Sequence, residues 1–310
     1  MEYVTLGKSG LRVSRICLGT WQLGGAWGAV DYEAATEAVR RALDVGVTFF
    51  DTAQAYGWGS SEWLLARALR DDIHRDDVVV ATKCGVRLEG GREVPDSSRA
   101  WIRNSVELSL HHLGVEAIDL LQVHRPDPGT PIEETAAALE ELVREGKVRH
   151  VGLSNFSAAQ MDKFERTRPV ETLQPQFNLL EREAEESVLP WCRAHDTGVL
   201  AYSPLAHGLL GGRFSRDTEL PAGDWRRENE LFQGEQLERT LAVVERLTEL
   251  AAGHGRQVAQ LAVAWVLAHP AVHVAIVGGR RAEQVEQIAA AGDIALSEEE
   301  RAEIERTIRA

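Results

Sequence analysis

The chain has 310 residues, 34 Lys+Arg against 48 Asp+Glu, a net charge of −14, and 44% hydrophobic with 26% charged residues. That hydrophobic share can fill a core and excludes a disordered chain, while the acidic balance excludes a broad nucleic-acid surface, which needs a positive stripe. No apolar run approaches the roughly 20 residues of a membrane span, and the scattered Cys17, Cys84 and Cys192 make neither a disulfide framework nor a zinc knuckle.

The start, MEYVTLGKSG, has no basic segment followed by an apolar one. A cytoplasmic protein is the expectation. Glu2–Val13 reads as a small hairpin turning at Gly7–Gly10. Ile16–Gly19 then opens a series of short apolar runs: Thr48–Asp51, Val78–Lys83, Ile118–His124, Val148–Ser154, Leu173–Asn178, Val199–Ser203 and Val274–Val277. Runs that are apolar throughout suit parallel strands covered on both faces. Between them lie amphipathic helix patterns. Ala35, Ala38, Val39, Ala42 and Leu43 form one apolar stripe, and Ile132, Thr135, Ala136, Leu139, Leu142 and Val143 form another. Gly46, Gly114, Gly146 and Gly198 stand where helix patterns give way to strands, as helix-ending glycines do.

Eight such units in one chain of this length predict an α/β protein, a single (β/α)8 TIM barrel over 1–310 with the N-terminal hairpin capping its bottom. A doubly wound sheet would carry G-x-G-x-x-G after its first strand. The sequence there reads GTWQLGGAWG. The stretch Ala206–Gly234 is long for a loop and is expected to be a lid.

Asp51, Lys83 and His124 end three consecutive strands. In a barrel these ends form the active-site face, so the side chains should converge, with Tyr56 leaning over the same mouth from the loop after Asp51. A lysine cation favours phenolate. A carboxylate keeps that lysine charged, and a histidine can orient a carbonyl oxygen. The set makes a tuned general acid/base.

With DTAQAYGWGSSE (Asp51–Glu62), Lys83 and His124 in place, the sequence resembles the aldo-keto reductase superfamily. GTWQLGG (Gly19–Gly25), VGLSNF (Val151–Phe156), QPQFNLLER (Gln174–Arg182), AYSPLAHGLLGGRF (Ala201–Phe214) and AIVGGRRAEQ (Ala275–Gln284) carry the resemblance along the whole chain. It is nearest to the bacterial-type members and the related potassium-channel β-subunits. The resemblance implies a reductase using NADPH/NADP+ without a Rossmann motif, in which Tyr56 is the general acid/base, Lys83 and Asp51 tune it, and His124 orients the carbonyl. It implies cofactor contacts from Gly19, Thr20 and Trp21. It also implies a carboxamide site at Ser154, Asn155 and Gln176, and contacts from Tyr202, Ser203, Pro204, Leu205, Gly208 and Leu210. Gly278, Arg280 and Gln284 would meet the adenosine 2′-phosphate near a helix start, where backbone N–H groups attract anions. Relatives carry Glu-Asn where Gln287 and Ile288 stand here, which weakens an adenine contact. NADPH is expected over NADH on the strength of Arg280 and Arg281, with NADH as the alternative.

Trp21, Trp58 and Trp225 are expected to form an aromatic substrate wall with Tyr56 and His124, whereas Trp101, Trp191 and Trp265 fall in helix patterns and suit the core. Cys84 alternates away from Lys83 and reads as a buried, inert thiol. His111 and His112 read as surface or helix-end residues, His150 as a rim residue, and His207 as a candidate contact. No cluster has metal-ligand spacing, so no metal is expected. Ser297–Arg309 reads as a solvated helix capped by Ser297. The resemblance implies a small carbonyl or polyol substrate as the partner, and no nucleic acid, no membrane and a monomer are expected. Two other functions fit less well: a cofactor-sensing or regulatory subunit with slow turnover, and a barrel enzyme of another class such as a lyase or hydrolase.

Overall fold

A computed structural model describes residues 1–25 and 28–309, so of the GGAWG stretch Ala26 and Trp27 lie outside the described residues, as does Ala310. The chain opens with antiparallel strands β1 (Tyr3–Thr5) and β2 (Arg12–Ser14). The first barrel strands follow: β3 (Ile16–Gly19), β4 (Phe49–Asp51) and β5 (Val79–Cys84). A second hairpin, β6 (Val86–Glu89) and β7 (Arg92–Pro95), comes next. The barrel is completed by β8 (Ile118–Val123), β9 (Val148–Ser154), β10 (Thr172–Gln174), β11 (Gly198–Tyr202) and β12 (Val274–Gly278). Every barrel pairing is parallel, and β12 closes on β3.

The helices are α1 (Tyr32–Asp44), α2 (Ser60–Leu69), α3 (Arg99–Leu113), α4 (Ile132–Arg144), α5 (Ala158–Glu165), α6 (Val188–Ala194), α7 (Gly234–Gly253), α8 (Val258–Leu267), α9 (Ala282–Ala289) and α10 (Glu298–Arg309). The expected (β/α)8 barrel is therefore the observed fold. Among the described residues, no helix is long and apolar enough to cross a membrane.

Strand alternation divides the core in two. Phe50, Val80, Cys84, Leu121 and Val123 pack outward against the helices. Cys17, Phe49, Val79, Ala81, Leu120, Leu200 and Val274 fill the barrel, where Leu6 and Val13 of the N-terminal hairpin join them from below. This is the predicted bottom plug. Cys84 lies on the outward side as expected, and burial pushes its thiol up to about 12. Trp191 and Trp265 are buried and Trp101 half-buried. The Ser297 hydroxyl accepts the Glu300 N–H, which confirms the cap on α10.

Several expectations change. Gly46, Gly114 and Gly146 do take positive φ after α1, α3 and α4, but Gly198 does not. It begins β11, and a Cβ there would lie 2.6 Å from the Leu6 side chain. Close passage of the plug, not helix ending, requires glycine at 198. The run Leu173–Asn178 is strand only to Gln174, because Pro175 has no N–H for the ladder. The hairpin β6–β7 was not foreseen, although Gly90-Gly91 supplies the two positive φ values that a tight hairpin turn demands. His112 lies in the last turn of α3, as expected of a helix-end residue, and has a partner there that the sequence did not announce. Its Nδ1 is 3.0 Å from Oε2 of Glu62, a fully buried carboxylate that raises the imidazole pKa.

Candidate active site

The same alternation that puts Phe49 in the barrel puts Asp51 one layer higher, inside the C-terminal mouth. Lys83 on β5 stands above Ala81 in the same way. The Lys83 ammonium donates to an Asp51 oxygen, to the Thr52 carbonyl at 2.9 Å and to the Tyr56 hydroxyl at 3.2 Å. Asp51 and Lys83 are almost fully buried. Tyr56 is half-buried, and the His124 ring meets it edge-on at 5.6 Å. The four predicted residues are thus brought together.

Their electrostatics follow from enclosure. Burial is the largest single influence and opposes the Lys83 charge, but Asp51 and Tyr56 together outweigh it, and the lysine pKa is raised. Burial also raises the Tyr56 phenol against the pull of Lys83. The lysine therefore limits an upward shift and does not bring the phenol below its usual range. His124 is pushed down to about 3 by burial, then by the Lys83 and Arg125 charges. A neutral imidazole results, able to donate one N–H without adding a second cation.

These side chains open into a cavity of about 670 Å³. Its wall includes Gly19, Thr20, Trp21, Asp51, Tyr56, Trp58, His124, Ser154 and Asn155. Tyr202, Ser203, Pro204, Leu205, His207, Gly208 and Gly278 continue it. Trp21 lies 6.4 Å from the Tyr56 ring and 5.3 Å from Trp225, and His207 packs edge-on against Trp225 at 4.8 Å. Trp58 is held between Gly57 and Gly59 in a run of three positive φ angles. Other predicted contacts lie off this wall. Gln176 stands behind it, within 3.4 Å of the Tyr202 hydroxyl and 3.3 Å of His207. Leu210 is fully buried. Gln284 accepts the Arg280 N–H at 3.1 Å, and neither residue reaches the cavity.

The aldo/keto reductase family model matches residues 15–309. This chain belongs to that family. It is 40% identical over 306 residues to an aldo-keto reductase of Bacillus subtilis (strain 168), covering 98% of this chain and 92% of that protein. It is 35% identical to an L-glyceraldehyde 3-phosphate reductase of Escherichia coli O157:H7, covering 99% and 92%. Among solved structures, a glycerol dehydrogenase from Gluconobacter oxydans matches with a TM-score of 0.88 at 39% identity, over 96% of this chain and 92% of that one.

In this aldo-keto reductase some residues around the central four were not foreseen. Gln122 and Gln174 donate to the second Asp51 oxygen at 3.1 and 2.8 Å, and Gln174 also donates to Gln122 at 3.1 Å. An amide inside an apolar strand was the available signal, since alternation puts Gln122 on the His124 side. Glu181 accepts from Gln176 at 2.7 Å and from Asn178 at 2.9 Å. Arg226 of the long loop also lines the cavity, gripped by both oxygens of Asp224 at 3.0 and 2.6 Å. Gly24 matters for its lack of a side chain, because a Cβ there would come within 2.7 Å of the Tyr56 backbone.

Proposed function

We propose that this oxidoreductase reduces small aldehydes and ketones with NADPH, or oxidises the corresponding alcohols and polyols with NADP+. The observation that carries the reading is the line from buried Asp51 and Lys83 to half-buried Tyr56, opening beside a neutral His124 into a large cavity. A bound nicotinamide supplies or accepts the hydride at the substrate carbon.

The protein moves the proton. The Tyr56 phenol is protonated at neutral pH and gives its proton to the carbonyl oxygen during reduction. The Lys83 ammonium, 3.2 Å away, then stabilises the phenolate that remains. Asp51 keeps Lys83 charged and oriented. His124 donates to the same carbonyl oxygen and fixes its direction. Oxidation uses the steps in reverse, with Tyr56 accepting the alcohol proton.

The cavity suits an extended nucleotide. Gly19, Gly25, Gly208 and Gly278 bring bare backbone to its wall, and among the described residues a Cβ at Gly25 would meet nothing within 4 Å and one at Gly208 only the Arg226 tip at 3.8 Å. Ser154 and Asn155 offer amide-binding groups beside His124, with Gln176 and Tyr202 completing the set. Arg280 and Gln284 then take the 2′-phosphate at a place beyond the cavity. The names of the relatives, one acting on L-glyceraldehyde 3-phosphate and one on glycerol, support a short hydroxylated substrate.

Titration with NADPH and NADH, followed by turnover against aldehydes, ketones and polyols, tests the reading. Binding with carbonyl-dependent oxidation of NADPH is expected. Binding without turnover on any carbonyl favours a sensor, and no nucleotide binding overturns the assignment.

A further inference from the structure

The unforeseen hairpin β6–β7 leaves the barrel directly after the strand that carries Lys83 and returns a carboxylate to the mouth. Residues paired across a hairpin share a face. Leu88 pairs with Glu93, and Val86 with Pro95. Val86 is buried where this face leaves the barrel, and Leu88, nearer the tip, is 50% exposed. Glu93 extends from this face far enough to line the same cavity as Tyr56 and His124.

The charges on that wall differ in what they have to offer. Asp51 is saturated by Lys83, Gln122 and Gln174. Arg226 is neutralised by Asp224. Among the described residues Glu93 has no hydrogen-bond donor, and its ion-pair partner is the Arg125 guanidinium at 3.8 Å, beyond hydrogen-bonding distance. Arg125 follows His124 directly, and its buried Nε and Nη2 find no hydrogen-bond partner among the described residues. It faces Glu93 across the rim of the mouth and leaves both carboxylate oxygens able to accept.

We infer that Glu93 is a specificity residue of the reductase site, accepting hydroxyl groups of a neutral hydroxy-aldehyde, hydroxy-ketone or polyol away from the reacting carbon. The inference rests on the proposed reductase reading and names its substrate class. An ionised carboxylate accepts two hydroxyl donors and repels a second anion. The site therefore prefers unphosphorylated, uncarboxylated substrates, in contrast to the phosphorylated compound in the name of the Escherichia coli relative.

The test compares kcat/KM for glyceraldehyde, butanal and succinic semialdehyde in the wild type, E93A and E93Q, each with saturating NADPH. Losing a charged acceptor should lower the glyceraldehyde-to-butanal ratio about tenfold or more in E93A. E93Q keeps one neutral acceptor and should fall between E93A and the wild type. Both variants should raise the succinic semialdehyde-to-butanal ratio several-fold, as expected when a nearby like charge is removed. Ratios that stay at the wild-type values in both variants overturn the inference while the reductase reading stands. A wild type that reduces none of the three overturns the reading beneath it. Glu93 sits on an exposed hairpin, and unchanged melting temperatures in the variants separate recognition from stability.

Discussion

The two sides of the barrel mouth are built on opposite plans. On one side Asp51, Lys83, Gln122 and Gln174 project from strands, are almost fully buried, and satisfy one another. On the other, Trp21, Trp58, Glu93, His207, Trp225 and Arg226 come from loops, a hairpin and short 3₁₀ turns, and are half-buried or exposed. The strand side fixes atoms to hydrogen-bond precision, which proton transfer requires. The loop side can be rebuilt without disturbing that geometry, as barrel enzymes do when they change substrate. On the proposed reading, chemistry belongs to the first region together with Tyr56, which the loop after β4 lays against Lys83, and choice of substrate belongs to the second.

Tyr56→Phe tests the chemical half most directly. It leaves the cavity shape intact and removes the proton donor, so kcat should fall by ~10²–10⁴ with nucleotide affinity nearly unchanged. Steady-state kinetics beside a fluorescence titration would show both. Near-normal turnover would dissolve the division between the two regions.

Gly24→Ala attacks the point where loop and chemistry touch. The new methyl group meets the Tyr56 backbone at 2.7 Å, and displacing the phenol by a fraction of an ångström should cost kcat roughly ten- to a hundredfold. A wild-type kcat in this variant would mean that Tyr56 adjusts without cost.

Arg280→Ala sharpens the nucleotide end. It should weaken NADPH about tenfold more than NADH, the factor that goes with about 1.4 kcal/mol. Equal losses, read by calorimetry, would remove Arg280 from the 2′-phosphate.

The pH dependence carries the smallest effect. His124, pushed down to about 3, stays neutral across about pH 5 to 8. Reduction should therefore show no histidine step there. Because burial raises the Tyr56 phenol, the base form needed for alcohol oxidation grows only as the pH rises, so oxidation should be fastest under alkaline conditions. A step in reduction near the usual imidazole range would show that His124 titrates.

The strand side was legible in the sequence because its residues obey a period. Apolar runs ending in Asp51, Lys83 and His124 place those groups at one mouth through alternation alone. The loop side lacks such a rule. The β6–β7 hairpin has alternating charges only in β6, adjacent charges at Arg92 and Glu93 in β7, and Gly90-Gly91 as its turn signal, so Glu93 was not anticipated. Gly198 showed a different limit. A glycine before a strand reads as a helix stop, but its reason here is the passage of Leu6 from a distant part of the chain. His112 and Glu62 likewise meet across two helices at a separation no local pattern encodes.

The arrangement around Asp51 also bears on how the molecule opens. Its carboxylate sits on β4 and is held by side chains from β5, β8 and β10, so four of the eight barrel strands are laced together across the interior. Peeling back any one of those strand ends would leave a buried charge without its partners, a penalty that discourages partial opening. Backbone amides at the upper ends of these strands should then exchange with deuterium slowly and in concert, as one cooperative unit. Asp51→Asn would cut the lacing, and the four segments would begin to exchange at rates of their own.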